Sequence, residues 1–271
     1  MEDLAPTIDA KGAELRLSRS TVDGVGVVAE TPTALVAQAA LRGYPTTVEE
    51  YSLARVLASE YGNGPAMALL CLADAEVNRA RAAGRTVVAE VTAGSERYGS
   101  QGTPAGGGRR RPNSTRLDPH VRHLRAARLV LGGPARGIAL GARRYLSPRA
   151  QHALWSRGDA SHYSPLVVLD RWVWERRVVR EFRDEHGRRM AELGPEGPGP
   201  GEEPVFPCGV DPWVQLFFRP GTRERRERYE LARRLIASGG GEKPPCEGRG
   251  DNLELVLAAA FAAAAAAAVV N

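Results

Sequence analysis

The sequence predicts an α+β protein that is mainly helical, with short β-hairpins and a C-terminal Ala-rich helix. Three observations carry this prediction. Thr46 with Glu49, or Thr47 with Glu50, has the spacing of a capping box, and Leu53, Val56, Leu57 and Glu60 follow at intervals of three and four. The breaker run Gly62-Asn63-Gly64-Pro65 separates that helix from a second one over 66–82, whose apolar residues include Met67, Leu70 and Val77. Short alternating apolar stretches flank Asp23-Gly24, and Val178 to Phe182 faces Met190 to Leu193 across Asp184 to Gly187, both in the manner of hairpins.

Taken in order, residues 1–45 form an N-terminal lead-in or docking segment, with the Asp-Gly hairpin and a short helix from Thr33 to Leu41. Residues 46–156 form a helical domain: the two helices above, a long Gly- and Arg-rich loop over 94–114, and a third helix capped by Asp118-Pro119 that carries Val121, Leu124, Arg128 and Leu131. A short fourth helix runs through Ala153 to Trp155. Residues 157–193 read as a β-hairpin extension, with a charged helix over 170–183 as the alternative. A Pro/Gly linker over 194–221, a charged helix over 222–238 and a second linker over 239–252 follow. The last element, 253–271, is an Ala-rich apolar helix with Glu254 as its one charge, read either as packed against protein or as a transient membrane contact.

At 271 residues with 43% hydrophobic content, the chain is long enough to bury a substantial core. A net charge of +5, carried by arginine, favours anionic partners. Arg109-Arg110-Arg111, Arg116, Arg122 and Arg125 have few aromatics between them and no nucleic-acid motif, so a solvated or polymer-steering face is favoured over nucleic-acid binding. Cys71, Cys208 and Cys246 lack metal-ligand spacing; Cys71 reads as helix core and a Cys208–Cys246 bridge is open. His120-x-x-His123 has the spacing of a metal clasp, but no third ligand is near, so the pair reads as exposed basic histidines and no metal or cofactor is expected. No P-loop, nucleophile elbow or dinucleotide fingerprint is present. The opening Met1-Glu2-Asp3 has neither a basic n-region nor an apolar run, so no cleaved secretory signal is expected.

Glu60 is the residue that calls for an explanation. It shares the apolar stripe of its helix and sits in the last turn, where the helix dipole disfavours an anion. Both features favour the neutral acid, the form a general acid needs. Asp74 and Glu76 lie near in sequence, but no second carboxylate can be placed opposite it.

Three segments fit together: Leu53 to Pro65 with Ser59-Glu60-Tyr61-Gly62, then Ala73-Asp-Ala-Glu-Val77-Asn78-Arg79, then Gly141-Ala-Arg-Arg-Tyr145-Leu-Ser147-Pro148. In that order they resemble the cell wall hydrolase family of spore cortex-lytic enzymes, over about residues 50–156. The resemblance implies a lysozyme-like catalytic domain in which Glu60 protonates the glycosidic oxygen of peptidoglycan. It also implies that Tyr61, Asn78, Arg79, Tyr145 and Ser147 contact substrate or support the cleft. Ser147 stands where the family has Asn, and Ser59 where it has Ala. One acid without a partner suits a lytic transglycosylase, and a muramidase would want a second carboxylate. Without a signal peptide, the implied setting is a phage virion, in the tail or internal, that brings the enzyme to the host wall or periplasm. Other virion proteins would then bind the N-terminal segment and C-terminal helix. The competing expectation is a non-enzymatic virion or tail protein that binds wall, DNA or other subunits on a hydrolase-like scaffold.

Overall fold

The computed structural model describes the backbone of the short strands at 7–8, 14–15, 18–22 and 25–29, and residues 46–61, 64–92, 119–174, 177–195, 201–221 and 225–248. It is a mixed helix-and-sheet structure in which helix predominates. The short helix expected at 33–41, the Gly- and Arg-rich loop at 94–114 and the Ala-rich segment at 253–271 lie outside the described residues. Among the described residues no helix is long and apolar enough to cross a membrane.

Residue contacts divide the chain into two compact units, Met1–Gly64 with Ala80–Pro134, and Pro65–Arg79 with Ala135–Asn271. The helical domain expected at 46–156 is therefore not one unit, because 65–79 and 135–156 share their contacts with the C-terminal part.

In the first unit, β1 (Thr7–Ile8) pairs with β2 (Glu14–Leu15), and β3 (Ser18–Val22) pairs with β4 (Val25–Ala29) antiparallel, Val22 opposite Val25. That register leaves Asp23 and Gly24 as the connection, as their sequence predicts. Helix α1 spans Val48–Tyr61. Of the two capping boxes, Thr47 with Glu50 forms: Glu50 N–H donates to Thr47 Oγ1 at 3.1 Å and Thr47 N–H to Glu50 Oε2 at 3.1 Å. Leu53, Val56 and Leu57 are wholly buried, each stabilising the fold by about 1.5–3 kcal/mol relative to exposure. They pack with α3 (Val87–Thr92) and α4 (Val121–Leu131), which bury Val91, Leu124, Ala127 and Val130. Arg128 of α4 grips Glu50 with two bonds, Nε to Oε1 at 2.9 Å and Nη2 to Oε2 at 3.0 Å.

The cap of α4 is His120, not the expected Asp118. His120 N–H donates to Nδ1 of His123 at 3.0 Å, and His123 is buried. The i, i+3 histidine spacing therefore serves a helix terminus, and His123 is not the exposed basic residue expected. No group of three potential metal ligands exists among the described residues.

Helix α2 spans Ala66–Ala82, and Met67 to Val77 are all buried, including Asp74 and Glu76, so this stretch is enclosed on every side. The second unit is built on a three-stranded antiparallel sheet in the order β5 (Arg144–Leu146), β9 (Leu216–Pro220), β8 (Glu202–Val205). Tyr145 stands opposite Phe217 and Pro204 opposite Phe218. The expected linker at 194–221 thus holds two core strands. Pro204 is tolerated because β8 is an edge strand, whose outer ladder needs no donor.

Helix α5 spans Pro148–Ser156, α6 Pro165–Trp174 and α7 Arg225–Ala237. The core gathers Leu169, Val173 and Trp174 of α6, Leu216 and Phe218 of β9, Phe206, and Tyr229 and Leu235 of α7. Residues 157–193 contain both alternatives in succession: α6, then a hairpin of β6 (Val178–Arg183) and β7 (Arg189–Leu193) with Phe182 opposite Met190. The helix falls earlier than the expected 170–183. Ser164 accepts the Val167 N–H on Oγ at 3.3 Å and Pro165 occupies the first helical position, a start signal that outweighs the β-branched run.

The second expected linker, 239–252, is tied down within its described part. Cys208 and Cys246 form a disulfide, and Glu247 exchanges backbone hydrogen bonds with Phe206 and Cys208. Its carboxylate also pairs with Arg228.

Candidate active site

Glu60 and Tyr61 are half-buried in the last turn of α1, which carries no basic residue in that turn. The chain then closes tightly on itself. Gly64 N–H donates to Tyr61 O at 3.1 Å, and Gly64 O accepts from the Arg122 guanidinium. A Cβ built on Gly64 would fall inside the Tyr61 ring, so the glycine there is required by close approach. Gly64 consequently lets the Tyr61 ring lie against its backbone.

Asn78, Arg79, Tyr145 and Ser147 all belong to the second unit, where α2 contributes two buried carboxylates beside them. Asp74 accepts the Gly137 N–H at 3.2 Å and the Ala139 N–H at 2.9 Å. Burial pushes its carboxyl upward, while those two N–H groups, the Arg136 cation and the Asn78 amide pull against that rise; the net is raised. One helical turn on, the Asn78 amide donates to Ala142 O at 3.1 Å. Asp74 and Asn78 therefore clamp the 137–142 turn, in which Leu140 is held at a positive φ of 55°.

Glu76 is wholly buried and accepts the Tyr145 hydroxyl at 2.8 Å on Oε1, while Oε2 pairs with Arg79. Tyr145 also sets its ring edge-on to Phe217, centroids 6.4 Å apart. The phenol is fixed at both ends, its ring half-exposed. Ser147 caps α5, accepting the Ala150 N–H at 3.3 Å and donating to Val214 O at 2.8 Å. Serine is among the preferred N-cap residues. Its hydroxyl is committed to that cap, and the Asn78 amide to Ala142 O, so both act on the scaffold.

The structure thus joins Arg79 and Tyr145 through Glu76, with Asn78 on the same helix bonded to Ala142 O and Ser147 on the segment that follows Tyr145; Glu60 and Tyr61 form a separate group in the first unit. Glu76 as an organiser was not singled out from the sequence, although two carboxylates interrupting the apolar run 67–77 were its signal. Comparison with protein-family models, with curated proteins and with solved structures finds no match to this chain.

Proposed function

We propose that this chain degrades peptidoglycan by cutting its glycan strands, with Glu60 as the general acid on a lysozyme-like catalytic domain. The observation that carries the reading is the position of Glu60: a half-buried carboxyl at the negative end of α1, beside the tightly closed Tyr61–Gly64 turn. The Glu76-centred anchoring of Arg79 and Tyr145 adds support, because it gives a rigid basis to two of the three segments that carry the family resemblance.

In this reading the Glu60 carboxyl gives its proton to the glycosidic oxygen as the bond from that oxygen to the sugar C1 breaks. The resulting carboxylate then takes the proton of a muramoyl hydroxyl whose oxygen bonds to C1, closing an anhydro ring. No second carboxylate is required, and the reaction is that of a lytic transglycosylase. Delivery by a phage particle, with virion proteins holding the terminal segments, is the setting proposed for it. The test is a clearing assay on purified peptidoglycan with the unaltered chain and Glu60→Gln. Clearing by the former alone supports the reading, and equal clearing by both removes Glu60 from the chemistry.

A further inference from the structure

The chain contains four tryptophans, all of them in the second unit. Trp174 is buried in the core of the second unit, and Trp172 and Trp213 pack against that core. Trp155 is half-buried like Trp213, and between these two rings stands the exposed ring of His152. The His152 centroid lies 5.6 Å from that of Trp155 and 5.5 Å from that of Trp213, at tilts of 50° and 54°. Three aromatic rings therefore stand in succession at the surface of a protein with only 6% aromatic residues.

The backbone of Trp213 and the side chains of His152 and Trp155 are held in place. Arg149 N–H donates to Trp213 O at 2.9 Å, and Trp213 N–H to Asp211 Oδ1 at 2.8 Å. His152 Nε2 lies 3.2 Å from Ser156 Oγ, and the Arg188 guanidinium sits 4.6 Å over the Trp155 ring, braced by Asp184 at 2.7 Å. A surface fixed before binding loses little entropy when it binds. Asp211 and Gly240, both against Trp213, continue into an open cleft of about 420 Å³ whose polar lining is Asp211, Glu242 and Lys243.

We infer that His152, Trp155, Trp213 and the adjoining cleft form a glycan-binding platform, distinct from the residues assigned to catalysis. The C–H faces of pyranose rings pack on flat aromatic rings, and the 5.5 Å spacing is close to the advance per sugar along an extended β-linked strand. The cleft's carboxylates and ammonium supply partners for hydroxyl and acetamido groups. Two carboxylates against one cation oppose a phosphate backbone, which separates this surface from a nucleic-acid site. The choice of an N-acetylated glycan rests on the function proposed above; the platform itself does not.

The test uses the full chain carrying Glu60→Gln, so that binding is read without cleavage. A hexamer of N-acetylglucosamine is titrated by calorimetry and by tryptophan fluorescence, and purified peptidoglycan sacculi are used in a sedimentation assay. Trp155→Ala and Trp213→Ala are each expected to weaken hexamer binding by about tenfold, with Trp213→Phe losing less, since stacking on one aromatic ring carries about that factor. In the chain with all tryptophans intact, saturating hexamer is expected to shield fluorescence from iodide quenching, a readout independent of any variant's folding. Absence of hexamer binding, unchanged binding by both alanine variants, or retention only on DNA with steep salt dependence overturns the proposal. Binding that persists while the unaltered chain fails to cleave peptidoglycan leaves the platform standing and refutes the enzymatic reading alone.

Discussion

Replacing Asp170 by alanine removes the polar centre of the second unit's core. Asp170, on α6, is 3% exposed; it accepts the Tyr229 hydroxyl and both oxygens lie 2.9 Å from Arg233 Nη1. Tyr229 is 1% exposed, so its hydroxyl loses a partner where water cannot replace it, at a cost of about 1–3 kcal/mol. The Arg233 side chain is 43% exposed and recovers much of its hydration, so the total falls below that of a fully buried broken pair, at about 3 kcal/mol. In a chain of this size that lowers the melting temperature by about 6–12 °C. All four tryptophans, at 155, 172, 174 and 213, lie in the second unit, and Trp174 stands edge-on to Tyr229 at 5.2 Å. Urea unfolding followed by tryptophan fluorescence therefore reads this unit alone. Tyr229→Phe is expected to cost about 1–2 kcal/mol, and the double variant less than the sum. A second signature is alkaline. Burial, then the hydrogen bond to Asp170, pushes the Tyr229 phenol up to about 12 from an ordinary value near 10. The fold stabilises the protonated form, so this contribution is complete below about pH 10 and is lost as pH rises through about 12, up to about 3 kcal/mol in all. Tyr229→Phe should lack that decline. An Asp170→Ala variant within about 1 kcal/mol of the unaltered chain, or an unchanged alkaline decline in Tyr229→Phe, refutes the account.

At the start of α1, burial works against Glu50 ionisation, but Arg128, Thr46 and Thr47 outweigh it and hold the carboxyl below its usual range. Its stabilisation is complete above the unfolded pKa and lost as pH falls through the lower folded one, so Glu50→Gln should cost about 1 kcal/mol at neutral pH and flatten the acid limb of stability. Equal acid limbs would exclude the Arg128 pair as a contributor. Gly64→Ala places a methyl against the Tyr61 ring and is expected to destabilise by about 1–3 kcal/mol, an effect reduced in a Tyr61→Ala background; additive costs in the double variant would contradict the close approach. For the Cys208–Cys246 bridge, thiol titration in denaturant should count one thiol without reductant and three with it. Reduction should cost about 3–4 kcal/mol for a closed loop of this length, and three thiols without reductant would mean that the bridge does not form.

The elements most legible in the sequence were those whose local chemistry and tertiary role agree. Thr47 and Glu50 started α1, Gly64-Pro65 ended the turn after it, and Asp184 to Gly187 turned a hairpin, each through a mechanism contained within a few residues. Where tertiary context decided, the reading failed. The strand at 202–205 reads as part of a Pro/Gly linker, because nothing local reveals that it lies at a sheet edge, where Pro204 is tolerated. Residues 157–193 read as a β-hairpin extension, yet over 165–174 the Ser164-Pro165 start and burial of Leu169, Val173 and Trp174 prevailed and made a helix. For the candidate site, Tyr145 and Asn78 were visible as motif positions, but their partners Glu76 and Ala142 O lie 69 and 64 residues away in sequence. His123 was misread as an exposed basic residue, because the i, i+3 spacing does not reveal that its ring is buried and serves a helix cap.

The proposal that Glu60 acts as an acid without a second carboxylate is tested most directly by the mass of the glycan ends released from purified peptidoglycan. Fragments from the unaltered chain should end in anhydro sugars, one water lighter than hydrolysed ends, and Glu60→Gln, folded as judged by its urea transition, should release none. Hydrolysed ends would point to a muramidase with a second carboxylate still to be placed. Equal release by the Gln variant, or no release by the unaltered chain, would contradict the assignment of Glu60.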